Sequence, residues 1–371
     1  MLAAQDGHFV AGFIDAEGCF RIRANNGGAA WACTFGLALR DDDADLLVEL
    51  QTLTGLGHLR LVPARGTSMP QVLWTIQRRS DCLRLAEILE QFPLRGRKRM
   101  EAETWTRAVR ELNRDPNPER LPQLASEIRS LKRYVNPVST PRTPSRFDDD
   151  LASYFGGFFT GEGHLYLGGG TCRVVTRLRD DDRPLLGDLA AATGLGQLYP
   201  SPRCGRTAPS VAWLIHRRDQ LADAVSLLER AGLRGRKAKE FALWRPAALE
   251  LAAAHAQRRR PQKSVVSDAA AAVHDARRYR PGSDAPAPYH RERQAERCVE
   301  ALRATAQETP GALTVTAYSA LRKAHRTGPT GTRSQGSSVP GRTRWRPPAW
   351  ATGADDGAGP GVSHRTSPTR R

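Results

Sequence analysis

The sequence predicts an α+β protein built from two tandem αββαββα repeats, and three observations carry that prediction. The segment Val10-Ala-Gly-Phe-Ile-Asp-Ala-Glu-Gly18 returns as Phe155-Gly-Gly-Phe-Phe-Thr-Gly-Glu-Gly163. Later segments return in the same order. Arg40-Asp-Asp-Asp43 reappears as Arg179-Asp-Asp-Asp182, Thr54-Gly-Leu-Gly-His58 as Thr193-Gly-Leu-Gly-Gln197, and Leu94-Arg-Gly-Arg-Lys98 as Leu233-Arg-Gly-Arg-Lys237, while Trp74 and Trp105 recur as Trp213 and Trp244. Within each copy, hydrophobic spacing switches between the helical period and the strand period of two. Most of these pairs stand 139 positions apart and the opening motif 145, so the loop after the motif is shorter in the second copy.

Each element has its own warrant. The opening motif reads as a helix. Cys19–Arg23 and Cys33–Leu39 alternate apolar and polar residues and read as a hairpin of half-buried strands. A helix is expected from about Asp43 to Leu53, stopped by Gly55. Strands follow around His58–Val62 and Val72–Gln77, then a helix from about Asp81 to Gln91 that buries Cys82, Leu85, Ala86 and Leu89. A last helix is expected from about Lys98 to Leu112, and the second copy repeats the order.

The expected boundaries are a first repeat over 1–135, a Pro/Ser/Thr-rich connector over 136–147, a second repeat over 148–256, and a tail over 257–371. The tail is rich in Arg, Pro, Gly and Ala, and is expected to be mostly disordered, with a short helix around Glu292–Ala306. At 371 residues the chain has room for two ordinary cores. Its net charge of +17 suggests a polyanionic partner. Most of the excess sits in the tail, however: residues 251–371 hold 21 Lys and Arg against 9 Asp and Glu, leaving 35 against 30 before them. Any nucleic-acid argument for the repeats must therefore rest on where their basic residues point. The six cysteines form no Cys-x-x-Cys pair, which argues against a zinc ribbon or a disulfide framework and for a reducing compartment. Neither a signal peptide nor a membrane span is expected, so the reading is a soluble, cytoplasmic protein.

The motif has a physical reading of its own. Gly12 and Ala16 in one copy, and Gly157 and Gly161 in the other, allow two helices to approach closely. Phe13, Ile14, Phe158 and Phe159 are expected to face each copy's own sheet. Parallel packing would bring Glu17 and Glu162 together just past the tight contact. A carboxylate at the negative end of a helix dipole, beside a second carboxylate, is doubly disfavoured and calls for a cation; hard oxygen ligands suit Mg²⁺. Gly18 and Gly163 are expected to end the helices and turn the chain into the first strand. Asp15 has no acidic counterpart in the second copy, where Thr160 stands, so no metal role is given to it.

The repeated nonapeptide, with the collinear segments behind it, resembles the signature of the LAGLIDADG homing endonucleases in their single-chain, two-repeat form, over roughly residues 6–250. The resemblance implies a pseudo-twofold saddle of antiparallel sheets with helices on the convex side. It implies a metal-dependent, site-specific double-strand DNA endonuclease of a mobile, often intron-borne, element. It implies that Glu17 and Glu162 hold Mg²⁺ or another divalent cation, with a nucleophilic water for each strand. Family members place a lysine near the repeated basic segment. Alignment across the glycine leaves Arg97 and Arg236 competing with Lys98 and Lys237 for that role, in which a cation stabilises phosphoryl charge and orients water.

DNA would be read from one face of the sheets. Arg21, Arg23, Arg40, His58 and Arg60 alternate with apolar neighbours in the first repeat, and His164, Tyr166, Arg173, Arg177, Arg179, Gln197 and Tyr199 occupy the corresponding face of the second. Such side chains match base edges in the major groove, and the difference between the two sets implies an asymmetric double-stranded target bound by a monomer. The alternative is a non-cleaving protein of the same fold, an intron maturase bound to RNA or a transcription regulator, or a decayed endonuclease. The paired glutamates favour the enzyme, and no helix-turn-helix signature follows residue 250.

Overall fold

The computed structural model describes residues 2–25, 30–64, 69–115, 119–134, 146–203 and 207–279. The first repeat contains α1 (Ala4–Glu17), β1 (Cys19–Asn25), β2 (Ala30–Arg40), α2 (Ala44–Thr54), β3 (His58–Val62), β4 (Gln71–Ile76), α3 (Arg79–Gln91), α4 (Lys98–Arg114) and α5 (Leu121–Leu131). The second contains α6 (Asp149–Glu162), β5 (Gly163–Gly168), β6 (Thr171–Arg179), α7 (Arg183–Thr193), β7 (Gln197–Ser201), β8 (Ser210–Ile215), α8 (Leu221–Ala231), α9 (Gly235–Ala256) and α10 (Lys263–Arg277). The strands form two four-stranded antiparallel sheets, ordered β1-β2-β4-β3 and β5-β6-β8-β7.

The expected order therefore appears twice, with one helix more in each copy than the sequence reading gave. α10 corrects the placement of 257 as the start of a disordered tail. Its Ala-rich sequence has high helix propensity, and Val266, Ala269 and Val273 are buried at helical spacing against α9. The short helix expected at Glu292–Ala306 and most of the 136–147 connector lie outside the described residues.

Period-two alternation does what the sequence implied. In the first sheet Phe20, Phe35 and Trp74 turn inward and meet Trp105 of α4, with ring centroids 5.3 to 5.7 Å apart. In the second repeat Trp213 of β8 meets Phe155 of α6, which in turn packs on Phe159. Trp74 donates its indole N–H to the Leu56 carbonyl at 3.0 Å, and Trp213 to the Leu195 carbonyl at 2.8 Å. The same loop–strand tie thus closes both cores. Gly55 and Gly194 end α2 and α7 with positive φ, near 69° and 68°, a conformation that costs a side-chain-bearing residue.

α1 and α6 form the most extensive helix–helix interface in the described residues. A Cβ on Gly12 would lie 1.9 Å from the Tyr154 carbonyl oxygen, one on Gly157 1.9 Å from that of Phe9, and one on Gly161 2.6 Å from the Ala16 methyl. The contacts climb together along both helices, so the pair is parallel. Phe13 and Phe158 stand on this shared face, their backbone N atoms against Gly157 and Gly12. This corrects their expected orientation, since one helix face cannot serve both the partner helix and the sheet; the Phe159 ring lies against Gly163, the first residue of β5. Gly18 and Gly163 end the motif helices as expected, but in extended backbone. Glycine is needed there for space: a Cβ on Gly18 would come within 2.6 Å of the Ile14 carbonyl oxygen, and one on Gly163 within 2.4 Å of the Phe159 ring.

Cys19, Cys33, Cys82 and Cys172 are free thiols. Among the described residues no helix is long and apolar enough to cross a membrane.

Candidate active site

The parallel motif helices end side by side, and that places Glu17 and Glu162 at one point between the repeats. A Cβ on Gly161 would sit 3.1 Å from Cγ of Glu17. Both carboxyls are half-buried. Burial holds Glu17 above its ordinary pKa, with Lys98 opposing and Asp43 adding to the rise. Burial first, and then the Glu17 charge, pushes Glu162 up to about 7. Two half-buried acids side by side, one of them raised by the charge of the other, are the electrostatic pattern of a site awaiting positive charge.

Beside them opens a pocket of about 230 Å³ lined by Glu162, Lys98, Asp15 and Asp182, with Arg177 and Arg179 at its sheet side. Lys98 reaches it from the first residue of α4 and donates Nζ to the Ala16 carbonyl at 2.5 Å. Burial lowers the Lys98 pKa, while Asp15, Glu17, Glu162 and Glu101 pull it back up. Lys237 reaches the end of α6, donating to the Gly163 carbonyl at 2.7 Å and to Glu240 at 3.2 Å. Its pKa too is lowered by burial, with Glu240 opposing.

The two arginines are engaged by other partners, although Arg97 also lines the pocket. Arg97 donates its guanidinium to Glu101 at 2.7 Å and to the Leu131 carbonyl at 3.2 Å. Its backbone N–H donates to Asp182 at 2.6 Å. Arg236 donates its backbone N–H to Asp43 at 3.0 Å, and its guanidinium lies 3.8 Å from the same carboxylate. Of each Arg-Lys pair, then, it is the lysine that points at a motif-helix end.

Asp43 and Asp182 were not singled out from sequence, although the repeated Arg-Asp-Asp-Asp run was visible. Each receives the N–H at the start of the opposite repeat's α9 or α4, so the repeats hold one another's basic segments in a swapped arrangement. Burial raises both carboxyls and the arginine N–H bonds oppose the rise. Asp15, 5% exposed, accepts three hydrogen bonds on Oδ2: from the N–H groups of Arg95 and Gly96, at 2.9 and 2.6 Å, and from the Tyr154 hydroxyl at 2.6 Å. It ties the α1–α6 pair to the segment that delivers Lys98.

Sheet register puts the expected DNA-facing residues on one face. Arg21 and Arg23 oppose Thr34 and Ala32, and His58 and Arg60 oppose Thr75 and Leu73, while Phe20, Ile22, Leu59 and Trp74 lie on the other side. In the second sheet His164, Tyr166, Arg173, Arg177, Gln197 and Tyr199 share a face and all are exposed. Arg173 stacks over Tyr166 at 5.0 Å. Arg40 and Arg179 differ from the rest: they end β2 and β6 with their guanidinium groups tied to Asp42 and Asp181, Arg40 at 2.5 Å. Their first duty is to brace the aspartate turns. His216, just beyond β8, stacks edge-on with Tyr199 at 6.1 Å and extends this surface beyond the residues the sequence singled out.

Residues 10–109 match the family described as LAGLIDADG endonuclease. A probable intron-encoded endonuclease of Schizosaccharomyces pombe, Cox1-I1b, is 27% identical over 167 residues, 43% of this chain and 41% of that protein. The chain thus spans about two-fifths of the length of that relative. The LAGLIDADG meganuclease I-AabMI, solved bound to uncleaved DNA, is 18% identical, with a TM-score of 0.53 over 73% of this chain and 97% of that one. I-SmaMI, solved on uncleaved DNA in the presence of calcium ions, is 16% identical, with a TM-score of 0.54 over 73% and 97%. The two-sheet architecture is the meganuclease fold.

Proposed function

Because this chain is LAGLIDADG-like in motif in both repeats and in fold over 73% of its length, we propose that it is a site-specific endonuclease that cuts both strands of an asymmetric DNA target. The observation that carries the reading is the pair Glu17 and Glu162, each made costly to ionise by burial and by nearby acids, at the meeting point of two sheets with basic and polar outward faces. A pure binding module has no use for two converging acids. Both acids come from one chain, so a monomer suffices, working wherever its DNA is inside the cell.

The residues present fit a divalent cation. Among the described residues no cluster of three or more His, Cys, Asp and Glu side chains forms a complete cage, so two carboxylates would share the ion with phosphate and water oxygens, a hard-oxygen set suited to Mg²⁺ or Ca²⁺. Bound there, the ion would neutralise phosphoryl charge and lower the pKa of bound water. The chain's own groups do the rest. Glu17 and Glu162 accept hydrogen bonds from the attacking waters, one for each strand. Lys98 and Lys237 place positive charge against the phosphoryl oxygens as the water oxygen bonds to phosphorus and the opposite P–O bond breaks. The attacking water releases one proton to bulk water, and the displaced oxygen takes one from it.

Metal and pH are coupled through Glu162. Its folded pKa, about 7, lies above the ordinary value of 4.5, so the metal-free protein holds its proton more tightly folded than unfolded. Its contribution to stability is full below pH 4.5 and is lost as pH rises through 7. Thermal melts should therefore show a falling midpoint between pH 5 and 7.5, a flatter profile for Glu162→Gln, and a midpoint recovered by Ca²⁺ at pH 7.5 but not at pH 5. Equal Ca²⁺ stabilisation at both pH values contradicts the assignment.

The sheet faces supply specificity. Arg60→Ala, measured by binding selection over a target library, should relax discrimination at one base pair by about 1–3 kcal/mol. A uniform loss over all sequences, with a salt slope reduced by about one, would reassign Arg60 to phosphate.

A further inference from the structure

Beyond α4 and α9 the two copies fall back to the 145-residue spacing of the opening motif: Lys132-Arg-Tyr134 corresponds to Arg277-Arg-Tyr279. The corresponding side chains make corresponding contacts. Lys132, just past α5, donates to the Phe20 carbonyl at 2.8 Å and stands 3.7 Å from Glu101. Arg277, at the end of α10, donates to the Leu165 carbonyl and to Glu240, the latter at 2.5 Å from Nε. Phe20 and Leu165 are repeat counterparts, as are Glu101 and Glu240. The tyrosines cross over: Arg179 of the second repeat lies over the Tyr134 ring at 5.7 Å, and Arg40 of the first over the Tyr279 ring at 5.4 Å. Tyr279 also donates to Asp41 at 3.1 Å.

Glu101 and Glu240 are 4% and 3% exposed, and a carboxylate so buried must be paired. The pairing differs between the copies. Glu101 is held by Arg97 and Lys132, which leaves Lys98 to the acid pair. Glu240 is held by Arg277 and by the candidate active-site Lys237.

We propose that Arg277 is a positioning residue for the second repeat's cleavage centre: it anchors Glu240, Glu240 orients Lys237, and residues 257–279 are thereby a working part of the nuclease. The proposal rests on the role given to Lys237 above. Facing Lys237 are Glu240 and Arg236 of its own helix, Arg277 of α10, His164 of β5 and Asp43 of the turn before α2. Arg277 shares the Glu240 carboxylate and its charge lowers the Lys237 pKa. Without it, all of the carboxylate falls to Lys237, which then keeps its proton to higher pH.

The test uses the full chain with Arg277→Met and Arg277→Lys, the latter restoring the kind of residue that Lys132 supplies in the first repeat. The first readout is a ¹³C titration of the Lys237 ε-carbon, tractable because the chain has six lysines. The second is the partition of a supercoiled target plasmid between nicked and linear product. Arg277→Met should move the Lys237 midpoint upward and slow cutting of one strand about tenfold, the scale of an outer-shell loss, so that nicked circles accumulate. Arg277→Lys should restore both. Should Arg277→Met unfold α10, Glu240→Gln keeps the arginine in place and should move the midpoint downward. A Lys237 midpoint unmoved by these variants overturns the positioning role whether or not the chain cuts DNA. A moved midpoint in a chain that cuts no DNA sustains the positioning role and removes the nuclease reading.

Discussion

Glu17→Gln and Glu162→Gln should each convert double-strand cutting into nicking, and the double variant should bind its target and cut neither strand. The amide keeps the shape of the side chain and removes the charge that would hold a cation, so each loss falls on the chemical step. A hard cation bound to a phosphoryl oxygen contributes several kcal/mol to its transition state; losing about 3 kcal/mol or more is a slowing of ~10²-fold or more on the affected strand. Binding should be preserved or improved, because neutralising either acid removes a half-buried negative charge from the path of the DNA phosphates, and neutralising Glu17 also relieves the repulsion that raises Glu162. Single-turnover cleavage and binding assays on one duplex separate the two effects. Equal loss on both strands in each single variant would mean that the two acids act as one centre rather than one per strand.

The second large effect concerns the helix pair that sets those acids in place. Gly157→Ala would put a methyl group 1.9 Å from the Phe9 carbonyl oxygen, and Gly12→Ala would do the same against Tyr154. These neighbours are backbone, so relief requires the helices to part. The expected cost is about 3 kcal/mol for overpacking, which lowers the melting midpoint by roughly 6–12 °C for a domain of this size. Separation of the helices also moves Glu17 away from Glu162, so cleavage should fall even at temperatures where the variant stays folded. Gly36→Ala is the control: a Cβ there meets nothing closer than 3.9 Å, and its melting midpoint should stay close to the wild type.

Much of this architecture was legible in the sequence because it is written in local periodicity. The small residues of the motif lie at helical spacing, and the alternation in β1, β3, β5 and β7 separates core from binding face without reference to anything distant. What escaped depends on contacts between segments far apart. Asp43 reads as one acid in a run of three, and its bond to the N–H of Arg236 exists only once the repeats have paired. Arg97 and Lys98 are adjacent in sequence, and what separates them is the position of Glu101, one turn along α4, which takes the arginine. Tyr134 and Tyr279 belong to a repeat visible only after the spacing returns from 139 to 145, and their partners lie in the opposite copy. α10 was hidden by the Arg- and Pro-rich composition around it, although three buried residues suffice to seat it.

The most direct measurement is selection of cleaved molecules from a randomised double-stranded DNA library in Mg²⁺, with the wild type alongside the Glu17→Gln, Glu162→Gln double variant. One asymmetric sequence cut on both strands by the wild type, and left whole by the double variant, is the predicted result. Specific binding without cutting by the wild type, or cutting that survives loss of both glutamates, would contradict the account.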